Sequence, residues 1–348
     1  MPGRPLVGCF ADSFNHKKAS VRLRLLAPMR EVSGRGWRLE QVDPDRLTDY
    51  DALWFSKSFS RQAIAISRKA QEAGIPILVD VCDNIFEHAR RRLDFPKLGR
   101  VREQLSAASL VTVSTQVLAE QLDAEMPGLM PKIVIVADMT EDLDACLPDA
   151  RESRQLARLE RFIARHPDAL HCVWFGKSSG LKAGLAHLNQ AMDRLADFSR
   201  THPTTLTVIS DTQIGYRLAS ARWPIPHHYM PWSIGSIGQA LKMHEIAVLP
   251  VRSNSYTICK TINRPATALL AGLGVIADAI PAYEELRPYI WLDDWVGGLS
   301  AYATGRDSEA PRIAAAREHL KAAYCPESIT DRWSGVLDRI TSHAFSAA

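Results

Sequence analysis

Short apolar runs alternate with stretches of helical periodicity along most of this chain of 348 residues. An unbroken run of about four to eight apolar residues is typical of a strand that is covered on both faces, as in a parallel sheet. In the first half, the predicted strands are residues 5–10, 37–42, 52–55, 75–81, 110–113 and 133–136. Residues 20–32 and 61–73 have apolar positions three and four apart, and glycines lie just beyond them, so they are predicted to be helices.

The second half shows the same alternation after an acidic stretch, residues 138–149, that has little apolar periodicity and is predicted to be a linker. The predicted strands of the second half are residues 170–175, 205–209, 227–230, 246–251, 275–277 and 289–292. Residues 311–345 are predicted to be helical. Strands that alternate with helices indicate βαβ units around a parallel sheet, and six strands are the number found in a Rossmann-like domain.

The sequence therefore predicts an α/β fold with two Rossmann-like, doubly wound domains that face a cleft. The expected domains are residues 1–150 and 151–310, followed by a C-terminal helical segment, residues 311–348. Ligands of such sheets bind beyond the carboxyl ends of the strands, so the loops at these ends are where we expect the functional residues.

Composition changes this picture little. Apolar residues make up 46% of the chain and charged residues 23%, which is typical of folded globular proteins. The net charge of +3 does not favour a nucleic-acid partner. No apolar segment is typical of a secretory signal or long enough to cross a bilayer, and the six cysteines are widely spaced, as expected of free thiols in a reducing compartment. We therefore expect a cytoplasmic protein.

Two loops of the second half are candidates for binding an anion. The first contains Gly176, Lys177 and Lys182, but the complete Gly-x4-Gly-Lys-Ser pattern of an ATPase phosphate loop is absent. A glycine-containing loop with two lysines before a helix fits an anion site, and a solvated surface turn fits it equally well. The second loop places Lys260, Asn263 and Arg264 at the start of a predicted helix, where basic residues are disfavoured unless an anion such as a diphosphate compensates. Its structural alternative is an ordinary solvated first turn.

Acid or base candidates in the first half follow the predicted strand 75–81. Asp83 and His88 lie just beyond it and could orient or deprotonate a hydroxyl group, whereas Asp80 lies within the strand and could equally be structural. Two basic groups, in residues 1–38 and 90–102, could contact an anionic membrane or a phosphate-bearing acceptor, and solvated helix faces are the alternative.

Several segments resemble bacterial glycosyltransferases of the GT-B fold, of the family-4-like, glycosyl transferases group 1 type. They read SVRLRLLAP, IPILVDVCDNIFE, SLVTVSTQVLAEQL, VWFGKSSGLKAG and INRPATALLAGLGVIADAIPAYEEL, and together the similarity extends over most of the chain. The resemblance implies an acceptor domain at the N-terminus, a nucleotide-sugar domain after it, C-terminal helices that cross back to the first domain, no cofactor and no metal.

The resemblance also assigns residues. Lys177 and Lys182 match the positions of an Arg and a Lys that bind the donor diphosphate. Two family glutamates correspond to Cys259 and Thr267, so the resemblance implies a divergent subgroup in which Lys260, Asn263 and Arg264 meet the donor instead. The family's His-Asp pair after the buried strand corresponds to Cys82 and Asp83.

The resulting prediction is a hexosyltransferase-type enzyme that moves a sugar from a nucleotide-sugar to a hydroxyl acceptor in polysaccharide, glycolipid or glycoprotein assembly. Its partners would be the donor, a glycan, lipid-linked or protein acceptor, and an anionic membrane that it touches peripherally. Asp83 would contact the acceptor or act as base, with His88 as the second candidate. A nucleotide-sugar epimerase and a catalytically silent homologue that binds a nucleotide-sugar remain the alternatives.

Overall fold

A computed structural model describes residues 4–178 and 184–342. These residues form two sheets of six parallel strands each. The strands of the first sheet are β1 Leu6–Phe10, β2 Arg38–Gln41, β3 Ala52–Ser56, β4 Ile77–Val81, β5 Leu110–Val113 and β6 Ile133–Ile135. Those of the second are β7 Leu170–Gly176, β8 Thr204–Ser210, β9 His227–Pro231, β10 Ile246–Leu249, β11 Gly274–Ala277 and β12 Trp291–Leu292. The predicted α/β class and its Rossmann-like sheets are confirmed.

Helices connect successive strands. In the first part of the chain they are α1 Ala19–Val21, α2 Ala27–Gly34, α3 Arg61–Glu72, α4 Ile85–Arg91, α5 Phe95–Ala107 and α6 Gln116–Glu125. The later helices are α7 Ala150–Ala164, α8 Leu185–Ser199, α9 Gln213–Ser220, α10 Ile237–Lys242, α11 Asn263–Leu270, α12 Trp295–Thr304, α13 Arg306–Tyr324 and α14 Pro326–Ser342. The helical tail is thus two helices, and the second begins at Pro326, where proline suits the first turn of a helix.

The strand order of each sheet reverses at one point. The first sheet has the order β2-β1-β3-β4-β5-β6, so its order reverses between β1 and β3. The second has the order β12-β11-β10-β7-β8-β9, which is the Rossmann order and reverses between β7 and β10. Ligands of open α/β sheets bind beyond the carboxyl ends of the strands at such points. The residues that follow β1, β3, β7 and β10 are therefore the ones to examine.

The chain divides into two compact units, each made of separate stretches. Unit 1 comprises Met1–Met139, Ile258–Thr261 and Tyr324–Ala348, and unit 2 comprises Thr140–Thr257 and Ile262–Ala323. The core of unit 1 includes Trp54 of β3 and Trp333 of α14, whose ring centres lie 4.5 Å apart. The short stretch Ile258–Thr261 supplies Cys259 to the same unit, where its side chain is completely buried.

The helix predicted at residues 20–32 contains a turn of π-helix, Arg22–Leu26, between α1 and α2. At its end, the backbone N–H of Ala27 bonds to the carbonyl of Arg22, five residues earlier. Pro28 follows directly. Because proline has no N–H and its ring clashes with the carbonyl four residues earlier, an α-helical bond cannot form there, and one extra residue per turn relieves the clash.

Helices α4 and α5 were not predicted from the sequence, in which residues 90–92 are three consecutive arginines. Each has a side-chain cap: Asn84 Oδ1 accepts from the N–H of Glu87 at 3.0 Å, and Asp94 Oδ1 accepts from the N–H of Lys97 at 3.1 Å. Between the two helices, Leu93 adopts a left-handed backbone conformation with φ of 54°. This turn lets α4 and α5 pack against each other, so that their basic residues lie on neighbouring helices.

Candidate functional site

Asp83 lies in unit 1, two residues after the end of β4 and before α4, and its side chain is 15% exposed. Two ammonium groups bind it from different sides: Lys57 Nζ donates to Oδ2 and Lys260 Nζ donates to Oδ1. Burial alone raises the pKa of Asp83, but the charges and hydrogen bonds of Lys260 and Lys57 outweigh burial and hold this pKa well below its usual range. The carboxylate is therefore ionised and has a cation at each oxygen.

Lys57 immediately follows β3, next to the point where the strand order of the first sheet reverses. Its backbone is left-handed, with φ of 47°, and its N–H donates to the carbonyl of Asp80 on the neighbouring strand at 2.8 Å. Left-handed conformations are uncommon for residues other than glycine and are enriched at functional sites. The sequence analysis missed Lys57. Its position at a strand end was the available signal, but the strand order was needed to recognise it.

Lys260 reaches Asp83 because both of its neighbours in the chain are anchored. The residue before it, Cys259, packs into the core of unit 1, where burial raises the pKa of its thiol to about 11. After it, Thr261 Oγ1 donates to Asp138 Oδ2 at 3.0 Å. Lys260 itself is 36% exposed. The structure thus places Lys260 beside Asp83, at a distance of 177 residues along the chain.

His88 lies in α4 and is half-buried. Burial lowers its pKa, and the positive charges of Lys97, Arg92 and Lys57 lower it further, while the charge of Asp83 acts in the opposite direction. An imidazole with a lowered pKa is neutral at physiological pH and can accept a proton. The structure therefore brings the two acid or base candidates of the first half into one electrostatic environment.

Asp80, which precedes this group in β4, is completely buried and takes part in an internal network. Arg24, on the π-helical turn, donates through Nη2 to Asp80 Oδ1 at 2.5 Å, and Thr112 Oγ1 donates to the same oxygen at 2.9 Å. Arg24 also donates to the carbonyl of Val136 and to Asp138 Oδ1 at 3.3 Å. Asp138 in turn accepts the hydroxyl of Thr261, so this network supports the stretch that carries Lys260.

In unit 2, Arg264 lies in the first turn of α11 and reaches the end of β7. A Cβ atom placed on Gly176 would come within 2.8 Å of Arg264 Nη2, so only glycine allows this approach. The guanidinium carbon also lies 5.6 Å from the ring centre of the buried Trp174. The first turn of α11 contains no acidic residue and no side chain caps it within the described chain. A guanidinium and a helix N-terminus thus meet at the carboxyl end of the strand where the order of the second sheet reverses.

The other residues predicted to bind the donor are Lys177, Asn263 and Lys182. Lys177 is exposed and directly follows β7, beside Gly176. Asn263 is the first residue of α11, is half-buried, and its carbonyl accepts the hydroxyl of Thr267 at 2.6 Å. Lys182 lies outside the described residues. The structure therefore places Arg264, Lys177 and Asn263 in unit 2 and Lys260 in unit 1.

The two positions at which the resemblance expects glutamates have other environments. Cys259 is enclosed in the core of unit 1, and Thr267 uses its hydroxyl within α11. Within residues 4–178 and 184–342, no three acidic, histidine or cysteine side chains are grouped so that they could hold a metal ion. Nor does this part of the chain contain a helix that is both long and apolar enough to cross a membrane.

Solved structures resemble the protein over nearly its whole length. The glycosyltransferase from Rickettsia africae is similar with a TM-score of 0.64 and 10% identity, over 98% of this chain and 99% of that one. The UDP-forming trehalose-phosphate synthase of Burkholderia xenovorans has a TM-score of 0.58 and 12% identity, over 91% and 78% of the two chains. The E. coli trehalose-6-phosphate enzyme, bound with UDP-2-fluoro glucose, has a TM-score of 0.58 and 12% identity, over 85% and 76%.

This chain has the GT-B fold. The fold implied by the resemblance is thereby confirmed. No protein-family model matches the sequence, and no curated protein sequence is significantly similar to it. The assignment to the family-4-like subgroup therefore stays a prediction. Within this fold, Lys57 and Asp83 follow strand ends of unit 1. In unit 2, Lys177 follows the end of β7, and the guanidinium of Arg264 lies beside the same strand end.

Proposed function

We propose that this protein is a glycosyltransferase that moves a sugar from a nucleotide-sugar to a hydroxyl group of an acceptor. The observation that carries this proposal is the position of Arg264 at the end of β7, in a fold shared with proteins solved with UDP or a UDP-sugar. A guanidinium at a helix N-terminus favours a diphosphate through both charges and donated hydrogen bonds. The same group stabilises the charge that develops on the leaving diphosphate as the glycosidic bond breaks.

Unit 2 binds the donor in this proposal. Arg264 binds the diphosphate, Lys177 and Lys182 add positive charge to it, and Asn263 orients the donor. Lys260 belongs to unit 1 and is held by Asp83, so we assign to it the neutralisation of that carboxylate. No metal or cofactor is part of the proposal.

Unit 1 binds the acceptor, and Asp83 positions the acceptor hydroxyl. A carboxylate whose pKa is held well below its usual range is a weak base, so orientation is the role that its two lysine partners support. His88, with a lowered pKa, is the better candidate to accept a proton. The acceptor is a glycan, a lipid-linked sugar or a protein. We place the enzyme in the cytoplasm, in peripheral contact with an anionic membrane through the basic residues of α4 and α5.

A silent homologue that binds a nucleotide-sugar is the second candidate. The environments of Cys259 and Thr267 favour it, because neither position offers a carboxylate. It predicts donor binding without sugar transfer, whereas an epimerase would alter the donor without any acceptor.

Binding and product analysis test the proposal in sequence. The protein is first screened by thermal shift against UDP, GDP, ADP, CMP and their sugar conjugates, because a ligand that binds only the folded state raises its Tm. For the ligand that binds, Arg264→Ala is expected to lower the affinity about tenfold or more, while the exposed control Lys69→Ala leaves it unchanged. Mass spectrometry of reactions with a glycan or lipid-linked sugar then detects the transferred hexose. Failure of every nucleotide to bind would contradict the proposal.

A further inference from the structure

Lys260 belongs to a stretch of four residues, Ile258–Thr261, that is separated along the chain from the other parts of unit 1. Cys259 is completely buried in the core of this unit, and Ile258 packs against the same core. The carbonyl of Cys259 also accepts from Thr115 Oγ1 at 3.5 Å, which is a long hydrogen bond. These contacts fix the backbone that precedes Lys260.

A hydrogen bond to a buried carboxylate holds the chain that follows Lys260. Thr261 is half-buried, and its Oγ1 donates to Asp138 Oδ2 at 3.0 Å. The side chain of Asp138 is 7% exposed, and its other oxygen, Oδ1, accepts from Arg24 Nη1 at 3.3 Å. Arg24 is in turn fixed by its ion pair with Asp80, which is closed off from solvent. The position of Thr261 is therefore set by a buried ionic network.

The attraction between Lys260 and Asp83 is too small to order this stretch by itself. Lys260 is 36% exposed, and an ion pair that is open to solvent contributes little to stability. A lysine side chain also loses most of its rotamer freedom when its ammonium is fixed at one point, and this loss of entropy offsets the attraction. Ordering the backbone at the same time would add a further loss, so anchored neighbours favour the pair.

We propose that Asp138 and Thr261 are positioning residues of the acceptor site, and that their hydrogen bond keeps the ammonium of Lys260 on Asp83. The inference rests on the proposed function for the role of Asp83 toward the acceptor hydroxyl. Lys260 binds Oδ1 of this carboxylate while Lys57 binds Oδ2, so the two cations together limit its rotation and keep it ionised. The acceptor hydroxyl then meets a carboxylate that has one orientation.

Amine labelling of the full chain tests the contact of Lys260. The protein reacts briefly with the N-hydroxysuccinimide ester of acetic acid, and mass spectrometry of its peptides gives the rate at each lysine. The neutral amine attacks the ester, and a neighbouring carboxylate favours the charged form, so a paired lysine reacts slowly. Thr261→Val removes the hydroxyl and keeps the side-chain shape, so labelling of Lys260 should rise about fivefold. Labelling of Lys57 should not rise, because Asp83 remains its partner.

Three further variants separate the hydrogen bond from a general loosening of unit 1. Thr261→Ser restores the hydroxyl and should return the labelling of Lys260 to that of the unmodified protein. Asp138→Ala removes the acceptor of the same hydrogen bond and should raise the labelling as Thr261→Val does; if it fails to fold, Thr261→Val still decides. Thr341→Val is the control, because Thr341 is buried in unit 1 and its hydroxyl donates within α14, to the carbonyl of Leu337 at 2.8 Å. It should leave the labelling of Lys260 unchanged.

Acceptor kinetics test what the contact does in the transfer reaction. Thr261→Val is expected to lower kcat/KM for the acceptor about fivefold and to leave the affinity for the nucleotide that binds in the screen unchanged. Lys260→Met should lower kcat/KM by at least as much. Adding Thr261→Val to Lys260→Met should lower it no further, because a positioning residue acts through the side chain that it positions.

The outcomes separate this inference from the proposed function. If Lys260 is labelled equally in Thr261→Val and in the unmodified protein, the positioning inference is wrong and the proposed function stands. If Thr341→Val or the labelling of Lys57 shows the same rise, the hydrogen bond only stabilises unit 1, and the inference is overturned. A selective rise with unchanged acceptor kinetics would overturn the role in the acceptor site. If no sugar transfer is detected, the proposed function fails, and labelling alone decides whether Asp138 and Thr261 hold Lys260.

Discussion

Arg24 and Asp80 form an ion pair that is closed off from solvent. Arg24 Nη2 lies 2.5 Å from Asp80 Oδ1, and the two side chains are 1% and 0% exposed. Removing one partner of such a pair leaves an uncompensated buried charge, whereas replacing both by apolar side chains can be neutral or stabilising. The pair therefore makes stability depend on both residues being present together.

Arg24→Met is expected to lower the free energy of unfolding by about 3–5 kcal/mol, because Asp80 then stays buried without its main partner. Arg35→Met is the matched control. Arg35 pairs with Asp331, but these side chains are 37% and 73% exposed, so its loss should be under about 1 kcal/mol. Hydrogen exchange of β4 peptides measures both effects locally. Equal losses in the two variants would contradict the role of burial.

Trp333 should be a second large contributor to the stability of unit 1. Its ring is fully buried against Trp54, so Trp333→Ala removes a large side chain that the core cannot refill and should cost about 3–5 kcal/mol. Trp223 of unit 2 is only half-buried, so Trp223→Ala should lower the free energy of unfolding clearly less. Urea unfolding monitored by hydrogen exchange in each unit separates the two values. A small loss in Trp333→Ala would show that α14 adds little to the unit 1 core.

Gly176→Ala tests the close approach of Arg264. The added Cβ would stand 2.8 Å from Arg264 Nη2, and the flexible guanidinium should move away rather than unfold the unit. Affinity for the nucleotide that binds in the thermal-shift screen, measured by calorimetry, should then fall as far as it does in Arg264→Ala, about tenfold or more. The double variant should be no weaker than either single one, since both remove the same contact. Gly176 also has a positive φ of 156°, which strains any side chain, so the control is Gly128→Ala, where φ is 91° and a Cβ meets no atom within 4 Å.

Asp83→Asn distinguishes a positioning carboxylate from a base. With its pKa held well below the usual range, Asp83 is ionised throughout about pH 5–8 and should produce no limb in the kcat profile there. We expect kcat/KM for the acceptor to fall about tenfold or more, affinity for the nucleotide that binds in the screen to stay constant, and the pH profile to keep its shape. Asp45→Asn, on an exposed loop, is the control. A pH limb that disappears with Asp83 would instead identify it as the base.

The burial of His244 should make the folded protein less stable in acid. His244 is 3% exposed, its Nδ1–H donates to the carbonyl of Ala240 at 2.8 Å, and its Nε2 accepts the hydroxyl of Thr207 at 2.7 Å. Burial lowers its pKa to about 4. Between about pH 6.5, the pKa of histidine in the unfolded state, and about pH 4, the unfolded state binds more protons than the folded state. The free energy of unfolding therefore decreases as pH falls through this range, by about 3 kcal/mol in total.

Hydrogen exchange of β8 and β10 between about pH 7 and 4 measures this slope. His244→Gln should flatten it, even if the variant is less stable at neutral pH, and His16→Gln, in the exposed loop after β1, should not. An unchanged slope in His244→Gln would show that another group is responsible.

The sequence predicted the sheets well because parallel strands are buried on both faces and leave continuous apolar runs. Strands β4 and β7 are examples, and both were found within two residues of the predicted positions. Helix α5 was missed because it buries few side chains, only Val101, Gln104 and Leu105 in 13 residues, and α4 because it is just seven residues long. A helix whose surface is mostly charged gives a weak apolar period. The π-helical turn was also missed, and Pro28 was its only local sign.

The candidate site was harder to predict than the fold. Strand ends pointed to Asp83 and Lys177, and helix-terminus chemistry pointed to Arg264. Lys57 became visible only with the strand order, since β3 and β4 are neighbours in space through their pairing. The partnership of Lys260 with Asp83 spans 177 residues and follows from no local pattern. Residues that meet through long-range packing carry no signature in a single sequence.

The discontinuity of unit 1 also sets the order in which the protein can mature during synthesis. Domains made of one continuous stretch can fold as they leave the ribosome, N-terminal domain first. Here the first 139 residues lack the buried Cys259, the counter-charge of Lys260 and the ring of Trp333 until those parts of the chain are made. Unit 2 can be completed earlier than unit 1, although unit 1 begins first. The core of the nascent N-terminal half therefore stays incomplete until the later residues are synthesised. This is the part of the molecule for which a chaperone would matter most.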